Sequence, residues 1–195
     1  ISCMSLSAAL FPERKSRIFK WLFGMPERAF HLNELLRLTQ LGSASLQQEL
    51  KSLAAAGLVN TERVGNLRRF QANPHSPVYA ELVSLTRKTI GLKWPLAQAL
   101  TPVRAQLTGA WIYGSVAQQS DTANSDVDLL LVGKDLLLAQ VLACLGPIEA
   151  DLGRKINPTC YSEQEFESRM KDPSSFVSKV FQKTVLNLLD ETDAT

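Results

Sequence analysis

The chain has 195 residues, 45% apolar and 21% charged, with a net charge of +2. That composition suits one large globular domain or two small ones and excludes wholesale disorder. No apolar run is long enough to span a bilayer, and Cys3, Cys144, Cys160, His31 and His75 are too scattered for a disulfide framework or a Cys/His zinc site. Residues 1–14 lack the basic-then-apolar order of a secretory signal, so a cytoplasmic protein with no membrane partner is expected. The first residue is Ile, so the expected start is Met4 or a residue outside this sequence.

The small net charge hides an asymmetry. Residues 1–91 carry 12 Lys/Arg and 6 Asp/Glu, a net of +6, whereas residues 92–195 carry 9 and 13, a net of −4. A basic half joined to an acidic half predicts two domains with different partners. The first could meet nucleic acid and the second could hold a metal. Uneven surface charge without a function is the competing account.

Ile18, Phe19, Leu22 and Phe23 recur at helical spacing among Arg14, Lys15, Arg17 and Lys20, which predicts a helix over 14–23 that Gly24-Met25-Pro26 ends. A second short helix fits 31–39, on Leu32, Leu35, Leu36 and Leu38. After the turn at Leu41-Gly42, Ser43 is placed to cap a third helix with its stripe at Leu46, Leu50 and Leu53. Gly57 falls just past the end of that helix. Residues 58–64 and 67–72 have strand character around Gly65-Asn66, which predicts a hairpin closed by Asn73-Pro74.

Three helices, a tight turn before the third, and a hairpin resemble the bacterial winged-helix repressors of the ArsR/MarR-like kind, over residues 12–73. The run from Leu46-Gln47-Gln48-Glu49-Leu50-Lys51 to Gly57-Leu58-Val59 is similar to that family's recognition helix entering the first wing strand. The resemblance implies that the third helix enters the major groove of double-stranded DNA. With the leucines inward, Ser45, Gln47, Gln48 and Lys51 face outward or sideways. Gln pairs with adenine through two bonds, Ser bonds base or phosphate, and Lys51 suits phosphate. Arg63, Arg68 and Arg69 flank the wing turn and could grip phosphate or the minor groove. A solvated helix face and a protein-binding winged helix are the alternatives.

Residues 76–104 read as a helical connector, too apolar for a flexible linker, with Trp94-Pro95 as a break. It is expected to pack between the halves or against a second copy, and a homodimer is the expected assembly.

In the acidic half, an apolar strand runs into Gly114-Ser115, and after ten intervening residues comes Asp126-Val127-Asp128 followed by Leu129-Leu130-Leu131-Val132. Two acids two apart on a strand point to one face, with Val127 and Leu129 turned into the core. Adjacent carboxylates repel unless a cation lies between them, which suits Mg2+ and its oxygen ligands. Gly114 allows close backbone approach to a triphosphate, and Ser115 offers a hydroxyl and an N–H to its oxygens.

This pattern, over residues 105–170, resembles the nucleotidyltransferase superfamily of DNA polymerase beta, and within it the minimal kanamycin-nucleotidyltransferase-like members and small AMP-transferring antitoxins. Gly114, Ser115, Asp126 and Asp128 match the family motif in register. The resemblance implies that Gly114 and Ser115 bind an NTP, and that Asp126 and Asp128 hold Mg2+ and carry catalysis. The family places a third carboxylate on a later strand, and here Asn157 stands at that position. An amide offers a neutral oxygen but no charge and no basicity. Asp121 and Asp151 could substitute but lack the family's spacing. Weak or absent transfer is therefore expected.

Ser162 and Glu165 have capping-box spacing, a last helix or strand fits 176–189, and the acidic tail 190–195 is expected to be loose. The whole predicts an α+β chain. Residues 1–75 are expected to form a winged helix-turn-helix, 76–104 a connector, and 105–195 a small mixed-sheet nucleotidyltransferase domain with helices on one side. The leading expectation is a DNA-binding transcriptional regulator with a nucleotide-responsive domain. Its rival is a working Mg2+-dependent transferase that moves NMP to a hydroxyl of a protein, RNA or small molecule. A third reading is a toxin–antitoxin component with a protein partner.

Overall fold

The computed structural model describes residues 6–65 and 67–189. Cys3, Met4, Asn66 and the tail 190–195 lie outside the described residues. The chain is α+β and divides into two compact units, Ser7–Leu92 and the chain from Lys93 on, to which Leu6 also belongs. No helix among the described residues is long and apolar enough to cross a membrane.

The first unit begins at Ser7, within α1 (Leu6–Leu10), and continues with α2 (Glu13–Leu22). Strand β1 (Phe30–His31) leads into α3 (Leu32–Thr39), and α4 (Ser43–Ala55) follows a short turn. Strands β2 (Val59–Val64) and β3 (Leu67–Ala72) pair antiparallel, with Val64 opposite Leu67. β1 adds to the other edge of β3, giving the order β1-β3-β2. Helix α5 (Tyr79–Thr89) packs on α2. Ile18, Leu22, Phe23, Phe30, Leu35, Leu46, Leu50 and Phe70 form the buried core. The α4 stripe is the expected one: Leu46, Leu50 and Leu53 all face inward. Gly57 follows α4 with φ +70°. Its N–H donates to the Ala54 carbonyl and that of Leu58 to Leu53, which closes the helix end.

Ser43 does not cap α4. Gly42 takes that position, and the Ser43 hydroxyl accepts from Gln47 Nε2 at 2.9 Å. The break expected at Trp94-Pro95 also moves. The chain turns at Gly91, and α6 (Lys93–Ala99) carries Trp94-Pro95 in its first turn, where proline lacks no hydrogen bond. The expected connector thus contributes α5 to the first unit and α6 to the second.

In the second unit a 3-10 turn (Thr101–Gln106) enters β4 (Leu107–Tyr113), which passes directly into the short helix α7 (Gly114–Ala117). Then come β5 (Val127–Gly133), α8 (Leu138–Leu152), β6 (Ile156–Tyr161), α9 (Glu163–Lys171), α10 (Phe176–Phe181) and β7 (Leu186–Asn187). The sheet order is β6-β5-β4-β7. It is mixed: β5 runs parallel to β6, across the α8 crossover, and antiparallel to β4. Leu129, Leu130 and Leu131 are fully buried and Val132 nearly so, so both faces of β5 are covered. This corrects the expectation of helices on one side. A continuous apolar strand is buried on both faces, whereas a one-sided sheet would alternate. Helices α9 and α10 cover the face of Leu130 and Val132 through Val177, Val180, Phe166 and Phe181. Helix α8 packs against β6 and α6.

Candidate functional site

Strand pairing builds an acidic cluster in the second unit. Register puts Tyr113 opposite Asp128 on one side and Asn157 opposite Asp128 on the other. Asp126 ends the loop before β5 and is exposed, while Asp128 and Asn157 are half-buried. Position 126 shares the parity of 128, and the two acids converge on one group. The Asn157 amide nitrogen donates to Asp126 Oδ2 at 3.1 Å and to Asp128 Oδ1 at 3.4 Å. The reversed amide would set its oxygen against two carboxylates, so the network fixes its orientation. Val127 and Leu129 point into the core, as their alternation requires.

Gly114 closes the cluster from behind. Its φ is +75°, and a Cβ there would stand 2.5 Å from Asp128 Oδ2. Glycine is thus needed twice, for the left-handed turn out of β4 and for room beside the carboxylate. Ser115 follows in α7 and is half-buried; its carbonyl accepts from the Ser120 N–H at 2.9 Å. Tyr113 carries Phe176 edge-on at 5.6 Å, and burial pushes its phenol pKa up.

The loop between α7 and β5 is held by a pair that sequence reasoning missed. Arg154 Nη1 donates to Asp121 Oδ2 at 3.0 Å, and Arg154 Nε donates to the Ser125 carbonyl at 2.9 Å. Both side chains are almost wholly buried. The Val127 N–H donates to the Lys155 carbonyl at 2.8 Å beside them. The two partners are 33 residues apart, and no local spacing signals such a contact. This pairing commits Asp121, and Asp151 is exposed on α8, so neither joins the two aspartates. Among the described residues no third His, Cys, Asp or Glu completes a metal cluster. The two carboxylates could nevertheless hold one hard divalent cation, with Asp126 open to solvent for the remaining ligands; the Asn157 amide presents its nitrogen to them and would have to turn to offer its oxygen.

A second surface lies in the first unit. Gln47, Gln48, Lys51, Thr61 and Arg68 line a groove of about 630 Å3 between α4 and the β2–β3 hairpin. Arg63 and Arg68 stand directly opposite each other across the hairpin, both exposed. Like charges so placed destabilise a strand pair unless an anion lies near. Arg69 is on the opposite face, beside His31 of β1, and is half-buried with Nε unpartnered. Ser45 is also half-buried, with its hydroxyl oxygen unpartnered. Four of the expected DNA contacts, Gln47, Gln48, Lys51 and Arg68, therefore share the groove, Arg63 sits above it near the tip, and Ser45 and Arg69 stand apart from it.

No family model matches this chain, and no curated protein matches it.

Proposed function

We propose that this chain is a DNA-binding transcriptional regulator, a winged helix-turn-helix followed by a nucleotidyltransferase-like domain that binds Mg2+-NTP and transfers nucleotide weakly or not at all. The observation that carries the reading is the convergence of Asp126 and Asp128 on Asn157 with Gly114 at their back. In this reading Asp126 and Asp128 hold Mg2+, and Gly114 and Ser115 give the triphosphate room and hydrogen bonds. The cation supplies charge neutralisation to the phosphates. Asn157 cannot accept a proton from an attacking hydroxyl, and Asp121 is spent on Arg154. Without a base at that position, activation of an acceptor is the step that suffers.

The DNA half of the reading rests on the α4 groove and the facing pair Arg63 and Arg68. Gln47 and Gln48 would read base edges, and Lys51, Arg63 and Arg68 would neutralise phosphates. A second copy of the chain is the assembly this reading favours, since paired half-sites call for paired helices.

Labelled NTP incubated with Mg2+, the protein and a cell extract separates regulator from transferase. The expected result is bound nucleotide with little label on any acceptor. Efficient transfer that vanishes in Asp126→Ala would replace this reading with the working enzyme, acting on a protein, RNA or small molecule. Modification of a co-expressed protein in that assay would point to the toxin–antitoxin role.

A further inference from the structure

The Asn157 amide nitrogen lies where it bonds both carboxylates at once. That is the place a cation shared by the same two oxygens would also seek. We propose that Asn157 is a clasp: it holds Asp126 and Asp128 together in the cation-free protein and makes cation binding depend on the nucleotide. This rests on the reading of the cluster as an Mg2+-NTP site.

Three observations carry it. The strand register sets the backbone of Asn157 beside Asp128 on β6, so its side chain leaves the sheet next to that carboxylate. Its two N–H groups satisfy two like charges that would otherwise repel, through charge-assisted bonds. The half-turn of the amide that would offer its oxygen to a cation gives up both of those bonds. A free cation must therefore compete with the clasp for two carboxylates and gains only a neutral oxygen. A nucleotide triphosphate adds oxygen ligands of its own and tips that balance. Asp at position 157 removes the donors and adds a charge, so a cation alone then suffices.

Calorimetric titration of the full chain with MgCl2, without and with ATP, tests the clasp in the natural protein and in Asn157→Asp. The natural protein is expected to bind Mg2+ weakly by itself and much more tightly with ATP. Asn157→Asp is expected to bind Mg2+ alone roughly tenfold tighter or more, because cation affinity follows the charge count of the ligands. Three carboxylates in one place could also unsettle β6, so a second readout uses the natural sequence. The side-chain amide resonances of Asn157 in a 15N-labelled sample are expected to move when Mg2+-ATP saturates the protein and to stay put with ATP alone. Equal Mg2+ affinity in both proteins, or an amide that does not move at saturation, overturns the clasp while leaving the site standing. Absence of Mg2+-ATP binding in both proteins overturns the site itself.

Discussion

At the scale of single residues, Gly114 is the most demanding position in the cluster. Alanine there would adopt a left-handed φ and drive its Cβ into Asp128. Gly114→Ala is expected to cost about 1–3 kcal/mol of stability, the usual range for strained backbone, and to weaken Mg2+-ATP binding as well. Urea denaturation checks the first effect and calorimetry the second; full stability with full affinity would remove Gly114 from the site. The acid-Val-acid step and the Gly-Ser bend were legible in the sequence because type and spacing are local. What Asn157 does with its nitrogen was not legible. A sequence shows that an acid is missing; it does not show that the replacement side chain bonds both remaining acids.

At the scale of elements, two devices hold the site's surroundings. Asp121 and Arg154 tie the loop before β5 to the turn between α8 and β6, out of water. Breaking one partner of a buried pair strands the other, so Arg154→Met is expected to cost about 3–5 kcal/mol in a denaturation series. A loss under about 1 kcal/mol, the scale of an exposed pair, would mean that the loop holds without them. The capping box at α9 is the second device. The Ser162 N–H and hydroxyl hold the Glu165 carboxyl below its ordinary pKa of 4.5. A lowered carboxyl pKa stabilises the fold above the ordinary value and stops doing so as pH falls through the lowered one. Acid titration of amide exchange in α9 is expected to show its first turn opening as pH falls below about 4.5; Glu165→Gln, which removes the titrating carboxyl, should abolish that dependence, whereas Ser162→Ala keeps the backbone bond and should only weaken it. The capping box was readable from its three-residue spacing, as were the α4 stripe and the β2–β3 hairpin. Strand β1 was not, because two residues have no period, and Ser43 was misplaced because Gly42 takes the extended conformation of the cap.

At the scale of the whole molecule, the chain joins a basic unit with a groove beside α4 to an acidic unit with a paired-carboxylate cluster. The charge asymmetry was legible in the order of residues alone, but which basic residues work together was not. Pairing in the hairpin sorts Arg63 and Arg68 from Arg69. If the groove meets DNA, affinity should fall steeply with salt, and Lys51→Ala and Arg68→Ala should each lower the slope of log affinity against log salt by about 1. A salt-independent affinity, or unchanged slopes, would count against the groove. The nucleotide site is the more central claim, and a single titration bears on it without intermediaries. Mg2+ with ATP, GTP, CTP or UTP is titrated into the natural protein and into Asp126→Ala by calorimetry. A saturable heat with at least one nucleotide, lost in Asp126→Ala, is expected; no heat with any of the four, or the same heat in both proteins, would contradict the site.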